Sequence, residues 1–495
     1  LRAGGNAVDA AIAATATQGV VAPETCGVGG DLFALVHRPG WVAPRALNAS
    51  GRAGSGAEPG VVLDRSRGIG RDDPLSVTVP GCVDGWATLS TDLGNLPLGE
   101  CLAPAIASAK EGFEVSTELA AKFEMEARVY SRHPAVRDLY PEGRVVAKGD
   151  RVRRPALAVT LQAISDGGRD AFYQGDPAQD IAQELGGFIT LDDLATAHAD
   201  WVEPISCAVG ALTAWTIPPN SQGYLGPAAV AVFEMLAPPA DPEAPDWWHL
   251  LIEAFRSVAW ERDDLVADPA HAPLPAHLLL DRDRLERAAE TIDRAQTGTW
   301  PRTGGTAGTA YMCVVDGDGM AVSIIQSNFE GPGSHFGARR SGFLLHNRGS
   351  GFTTTPGHPN EIRAGKRPRH TLSPTLWADE SGPRWLLGTR GGSLQPQIVA
   401  QMAARAILAG SDLEAAQQAP RWTVPEFGPS SQSRLLIEPG VAPATVTDLR
   451  DRGHSIQVVP DPQSEWGPVS MIHLAPPILA TAADPRVDTT SAVVL

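Results

Sequence analysis

The sequence predicts an α+β protein in which a helix-rich stretch precedes a strand-rich one. Two observations carry that prediction. From about residue 100 to 300 apolar residues recur at helical spacing, as in "TELAAKFEMEARVYSR" and "DWWHLLIEAFRSVAWERDDLVAD". After about residue 300 strand-like runs follow at short intervals: "YMCVVD", "MAVSIIQS", "GFLLHN", "TLSPTLWAD" and "RWLLGTR". "GDG", Gly/Ser stretches and "ESGP" separate them as hairpin-type connections. The compositional boundary falls at roughly 296–308.

In chain order, residues 6–20 read as a small-residue helix, and "GVGGDLFALVHRPG" as a glycine turn entering a strand. "DPLSVTVPGCVDGWATLSTDLG" gives a strand, a turn and a helix start across 76–92. "PPNSQG" at 218–223 is a turn and "APPADPEAPD" at 237–246 a Pro-rich connector. "QPQIVAQMAARAILAG" is a helix, followed by a strand–helix–strand block. No repeat or heptad pattern interrupts this order.

The 495 residues suffice for two or three domains or one large α/β unit. With 43% hydrophobic and 20% charged residues, 51 Gly and 42 Pro, the chain reads as globular and loop-rich. A net charge of −17 argues against nucleic-acid and anionic-membrane partners, which would repel it. Five scattered cysteines (Cys26, Cys82, Cys101, Cys207, Cys313) form no CxxC pair, and no HExxH occurs, so neither a metal nor a cofactor is expected. "GVGG" falls short of a dinucleotide fingerprint, Cys26 reads as buried and inert, and no GxSxG elbow is present. "AVDAAIAATATQGVVAP" is too short and polar to span a bilayer. Because the sequence begins at Leu1, a missing upstream segment is expected; the unpaired cysteines and absence of a visible signal lean cytoplasmic.

The boundary stretch "GGTAGTAYMCVVDGDG" (304–319) carries the sharpest chemical question. A flexible loop entering a strand explains it in the ordinary way. The Gly308–Thr309 step also suits self-cleavage, because glycine tolerates the strained backbone that attack by the threonine hydroxyl requires. Cleavage would leave an N-terminal threonine whose Oγ attacks while its own α-amine, of pKa near ~8, takes the proton.

Several motifs in fixed order bear on that choice: "GGNAVDAAIAA" (4–14), "GVGGDLFALV" (27–36), "VPGCVDGWATL" (79–89), "LAPAIASAKEGFEVS" (102–116), "KRPRHTLSPTL" (366–376), "GTRGGSLQPQ" (388–397) and "APRW" (419–422). In these the chain resembles the γ-glutamyltranspeptidase family over nearly its whole length. The resemblance implies an N-terminal-nucleophile hydrolase, a four-layer αββα sandwich with two stacked antiparallel sheets, made as one precursor. It implies a large chain of residues 1–308 and a small chain of 309–495, cut between Gly308 and Thr309, together forming one αββα unit, and it leaves a homodimer open. Thr309 then takes the place of the nucleophile, and Ser327 that of a hydroxyl bonded to it. The Gly391–Gly392 pair takes the place of the oxyanion hole. Read alone, that pair is a strand-to-helix turn.

Departures from the family pattern bear on substrate. Ser50 stands where the resemblance would place a carboxylate-binding arginine, with Arg52 two residues on, and Gly351 stands where it would place an amine-binding aspartate. His370-Thr371 replaces a Ser-Ser pair, and the loop from Phe352 to Lys366 is short. Arg52, Asn328, Arg348, His370, Thr371 and Arg390 are therefore the candidate substrate contacts. Taken singly, Arg52, Arg348, Arg367 and Arg390 read more readily as surface or ion-paired residues than as ligands, and His370 as a hydrogen-bonded structural histidine. The expected activity is hydrolysis or transfer on an amide of a small acid, not strictly γ-glutamyl, as in the γ-glutamyltransferase-like branch with oxamate amidohydrolases and cephalosporin-acylase-like proteins. The alternatives are a genuine glutathione hydrolase and an unprocessed, non-catalytic binder of small acids.

Overall fold

The structure is a computed structural model that describes residues 1–58, 60, 68–298, 308–424, 434–476 and 478–494. Most of the 296–308 boundary, including residues 304–307 of the stretch singled out above, lies outside them. The chain divides into two compact units, each drawing segments from both sides of the 308/309 step. The first comprises 1–36, 47–201 and 308–370; the second 37–46, 202–307 and 371–495.

In the first unit, helix Ala7–Val21 begins where the sequence places it. Asn6 Oδ1 accepts from the Val8 and Asp9 amides, and Asp9 Oδ2 accepts from the Asn6 amide, a reciprocal cap. Its small residues let the backbone come close to the following turn: a side chain on Gly19 would meet Gly27 Cα. A five-stranded sheet follows, in the order Asp200–Val202, Arg45–Ala49, Asp31–His37, Ala321–Phe329, Gly308–Val315. Every residue of Asp31–His37 and of Ala321–Phe329 is buried, including the polar Asp31, Ser323, Gln326, Ser327 and Asn328. "SVTV" does not join a ladder. It follows a short 3-10 turn, Pro74–Ser76, and is tied by the Val79 amide to the Arg52 carbonyl. "GFLLHN" contributes only Phe343–Leu344 to a two-stranded ribbon.

In the second unit six strands form a sheet, antiparallel throughout, in the order Ile478–Ala482, Val469–Ala475, Gly382–Thr389, Thr375–Asp379, Leu212–Thr216, Ile205–Val209. The hairpin Ile205–Thr216 falls inside the region where helices are expected. Val209 pairs with Leu212, so Gly210 and Ala211 form a two-residue loop, and Gly210 adopts a φ of 56°. The adjoining core draws on Phe233, Trp247 and Trp248 with Trp377 and Trp422. Helices Leu225–Met235 and Pro245–Ala259 carry the first three of these.

Candidate active site

Thr309 lies at the start of strand Gly308–Val315, which runs antiparallel to Ala321–Phe329. Gly308 pairs with Phe329 but Ala310 pairs with Gln326, so Ser327 and Asn328 together oppose the single residue Thr309. Such a bulge re-aims side chains that strict alternation would separate. Thr309, 1% exposed, places Oγ1 3.1 Å from Ser327 Oγ and 2.8 Å from the Gly308 carbonyl oxygen. Ser327 Oγ accepts from the Phe329 amide at 2.8 Å, and its proton goes to the Gly308 carbonyl oxygen at 2.5 Å. The carbonyl before Thr309 is thus polarised by one hydroxyl while another sits beside it. Phe329 holds a φ of 74°, a left-handed conformation costly for a bulky residue and met chiefly at functional sites.

The glycine turn of "GVGGD" serves this strand pair. A side chain on Gly30 would collide with the Ser327 carbonyl, and one on Gly29 with that of Leu344. These glycines allow close backbone approach; they build no nucleotide loop. The turn delivers Asp31, a fully buried carboxylate that sequence reading passed over. Asp31 Oδ1 accepts from the Gly51 amide at 3.0 Å, and Oδ2 lies 3.1 Å from His370 Nε2 and 3.3 Å from His346 Nδ1. Burial alone would raise this carboxyl; the charge and hydrogen bonding of the two imidazoles outweigh it and hold it well below the usual carboxylate range. His346 Nε2 is 2.8 Å from the Thr78 carbonyl oxygen, which can only accept, so that nitrogen carries a proton. Burial pushes His370 down to about 4, opposed by its hydrogen bond to Asp31 and aided by the charge of Arg348. At neutral pH His370 is therefore an uncharged ring donating from Nε2, packed edge-on against Phe33.

Arg348 is 1% exposed, with its guanidinium carbon 3.4 Å from the centroid of the Phe329 ring. At Gly351, a Cβ would strike this guanidinium and the Arg369 carbonyl. Asn328 is buried; its amide donates to the Thr25 carbonyl, its Nδ2 to that of Pro332. Thr309, Ser327 and Asn328 thus meet at one strand end with Arg348 over the adjoining Phe329, while His370 is held by Asp31 and Phe33.

Arg52 sits elsewhere in this unit. It contacts Asp200 at 3.5 Å and the Gly365 carbonyl at 3.2 Å, lining a cavity of about 120 Å³ with Ser50, Asp84, Tyr173 and His198. Arg367 donates to the Ser50 carbonyl and to Asp200.

The second unit holds the other candidates. Gly391 and Gly392 adopt φ values of 117° and 57°, the left-handed conformation that glycine supplies, between strand Gly382–Thr389 and helix Gln395–Ala403. Gln222 Nε2 donates to the carbonyls of Gly392 (3.2 Å) and Thr371 (3.4 Å), and Gln222 Oε1 accepts from buried Arg262. The Gly391 carbonyl takes the Leu394 amide, so both peptide planes of the turn are fixed. Arg390 donates to the Ser464 carbonyl. Among the described residues no group of His, Cys, Asp and Glu could hold a metal ion.

A hydroxyl pair on a strand bulge, in an α+β fold with antiparallel sheets, fits the class of N-terminal-nucleophile hydrolases. Residues 1–494 match the family described as gamma-glutamyltranspeptidase. The chain belongs to that family, and is an amidohydrolase within it. It is 34% identical to a glutathione hydrolase-like YwrD proenzyme of Bacillus subtilis over 491 residues, covering 98% of this chain and 93% of the relative. It is also 34% identical to an oxamate amidohydrolase proenzyme of Klebsiella pneumoniae over 496 residues, covering 98% and 94%. The solved cephalosporin acylase of Bacillus halodurans matches with a TM-score of 0.91 at 32% identity, covering 99% of this chain and 92% of that one. The expected fold class is therefore the one found.

Proposed function

We propose that this protein is an autoprocessed amidohydrolase with Thr309 as its nucleophile, acting on an amide of a small acid that is not strictly γ-glutamyl. The observation that carries the reading is the cluster of Thr309 Oγ1, Ser327 Oγ and the Gly308 carbonyl oxygen, each within hydrogen-bond distance of the other two. In processing, Thr309 Oγ adds to the Gly308 carbonyl carbon while Ser327 donates to the developing oxyanion. The C–N bond breaks, the nitrogen takes the proton given up by the hydroxyl and leaves as the Thr309 amine, and water hydrolyses the resulting ester. That yields chains 1–308 and 309–495.

In turnover the same oxygen attacks the substrate amide. The new α-amine takes its proton and returns it to the departing nitrogen, and water releases the acyl group from Thr309. Gly391 and Gly392 are assigned the oxyanion of this second reaction, where oriented backbone N–H groups are worth most. The substrate class draws support from the relatives named for oxamate and cephalosporins, and from Arg52, which is engaged with Asp200 and Gly365.

A denaturing gel with an amide screen tests the reading. Freshly expressed protein should give two chains and release acid from small-acid amides. Thr309→Ala should give one chain and lose at least ~10⁴-fold in kcat. Full-rate hydrolysis by an uncut Thr309→Ala protein would overturn it.

A further inference from the structure

The turn that carries Gly391 and Gly392 is held by two kinds of hydrogen bond. Its shape is local: the Leu394 amide donates to the Gly391 carbonyl and the Gln395 amide to that of Gly392, so these bonds travel with the turn. Its place relative to Thr371 is set from far along the chain. Gln222, fully buried in the "PPNSQG" stretch, donates from Nε2 to the Gly392 carbonyl at 3.2 Å and to that of Thr371 at 3.4 Å. One side-chain amide thus spans the turn and the segment Thr371–Ser373. Neighbouring groups reinforce the link. Ser221 Oγ donates to the Leu372 carbonyl, Ser373 Oγ to that of Thr371, and the Ser373 amide to Gln395 Oε1 at 3.0 Å. The Gln222 amide has one way round. Arg262, 2% exposed, donates from Nη1 to Gln222 Oε1 at 3.1 Å and from Nε to Asp263 at 2.8 Å. A guanidinium only donates and a carbonyl only accepts, so the oxygen of Gln222 faces Arg262 and its nitrogen the two carbonyls. The cation's pull on the amide oxygen also strengthens the N–H donors on the other side.

Resting on the assignment of the oxyanion to Gly391 and Gly392, we propose that Gln222 is a positioning residue for amide hydrolysis: oriented by Arg262, it holds the oxyanion turn in register with the Thr371 segment. Oxyanion donors serve only where the charge develops, and a displacement of ~1 Å costs about 10²-fold in rate. The turn's internal bonds do not oppose such a shift, because they move with it. Gln222 opposes it, acting through the Gly392 peptide rather than on a reacting atom. Its loss therefore falls on the transition state and spares the binding of a planar acid.

Two near-isosteric variants of the full chain test this. Gln222→Met removes both hydrogen bonds; Gln222→Glu keeps the contact with Arg262 but turns an acceptor toward two carbonyls. Each should lower kcat about 10- to 100-fold per folded molecule, with KM changed by less than about threefold. Cleavage into two chains, assigned to Ser327, should proceed in both as in the wild type. Inhibition by propylboronate, whose tetrahedral adduct on Thr309 mimics the oxyanion, should weaken by the same factor as kcat. Inhibition by butyrate, its planar counterpart, should stay as in the wild type. Arg262→Met should lower kcat less, and Gln222→Met with Arg262→Met no more than Gln222→Met alone. Unchanged kcat in the folded Gln222 variants, or equal weakening of both inhibitors as a merely structural role would give, overturns the proposal. If Gln222→Met fails to fold, Gln222→Glu and Arg262→Met carry the same readouts. A wild type that hydrolyses amides without inhibition by propylboronate removes the oxyanion assignment and this proposal with it. A wild type inhibited by it, with unaffected Gln222 variants, removes only the role of Gln222.

Discussion

Each unit buries a cluster of charged side chains, and the two are built differently. In the second unit Arg421 meets Asp484 at 2.6 Å and Arg486 meets Glu438 at 2.8 Å, two cations against two anions. Backbone completes the set. Asp484 accepts from the Val469 amide, Glu438 from those of Arg421 and Gln463, and Arg421 donates to the carbonyls of Trp466 and Gly467. This network spends its hydrogen bonds on tying chain segments together. In the first unit one carboxylate, Asp31, faces two imidazoles, while the neighbouring cation Arg348 lies against an aromatic ring. The arrangement in the second unit is closed ion pairing; in the first one carboxylate is shared by two imidazoles and the cation stacks on a ring.

That contrast can be broken or sharpened by experiment, beginning with the largest effect. Glu438→Gln should lower the unfolding free energy by about 3–5 kcal/mol, the cost of breaking a buried pair, with unchanged turnover per folded molecule. A loss of turnover in its folded fraction would erase the distinction. Gly391→Ala should do the opposite. On the proposed oxyanion role kcat should fall ~10²–10³-fold, against about 1–2 kcal/mol of stability for a Cβ at a left-handed φ. Ser327→Ala should slow appearance of the two chains on a gel by about 10- to 100-fold, the worth of one charge-assisted hydrogen bond. Unaltered cleavage would remove Ser327 from the processing step.

The smallest effect is one of pH and belongs to both units. Burial holds His370 at about 4 in the first and His454 at about 3 in the second, both below their ordinary 6.5. Between pH 6.5 and about 4 the unfolded chain therefore binds protons that the folded chain does not. Stability should fall as pH drops through that window, by up to about 1.4 kcal/mol per pH unit for each histidine. Denaturant titrations from pH 7 to 4.5 would show it, and a flat profile would refute the buried neutral rings.

Much of this was legible locally. The small-residue helix near residues 6–20, the strands Asp31–His37 and Ala321–Phe329, and the turn at Gly391–Gly392 each reflect spacing or chemistry within a few residues. The hairpin Ile205–Thr216 had a signal, alternation broken by a glycine in "ISCAVGALTAWT", but it was submerged among strong helical periodicities. The polar cluster had none. Asp31 and His370 stand 339 positions apart, and nothing in either neighbourhood records the other.

The sequence by itself determined the family and the fold class, because ordered motifs and periodic burial are properties of short segments. Tertiary structure alone decided that Ser327 and Asn328 share the space opposite Thr309, that Asp31 joins two histidines, and that Arg348 takes the room left by Gly351. Register, burial and charge pairing come into being only when distant segments pack, since an imidazole or a guanidinium acquires its chemistry from whatever lies against it.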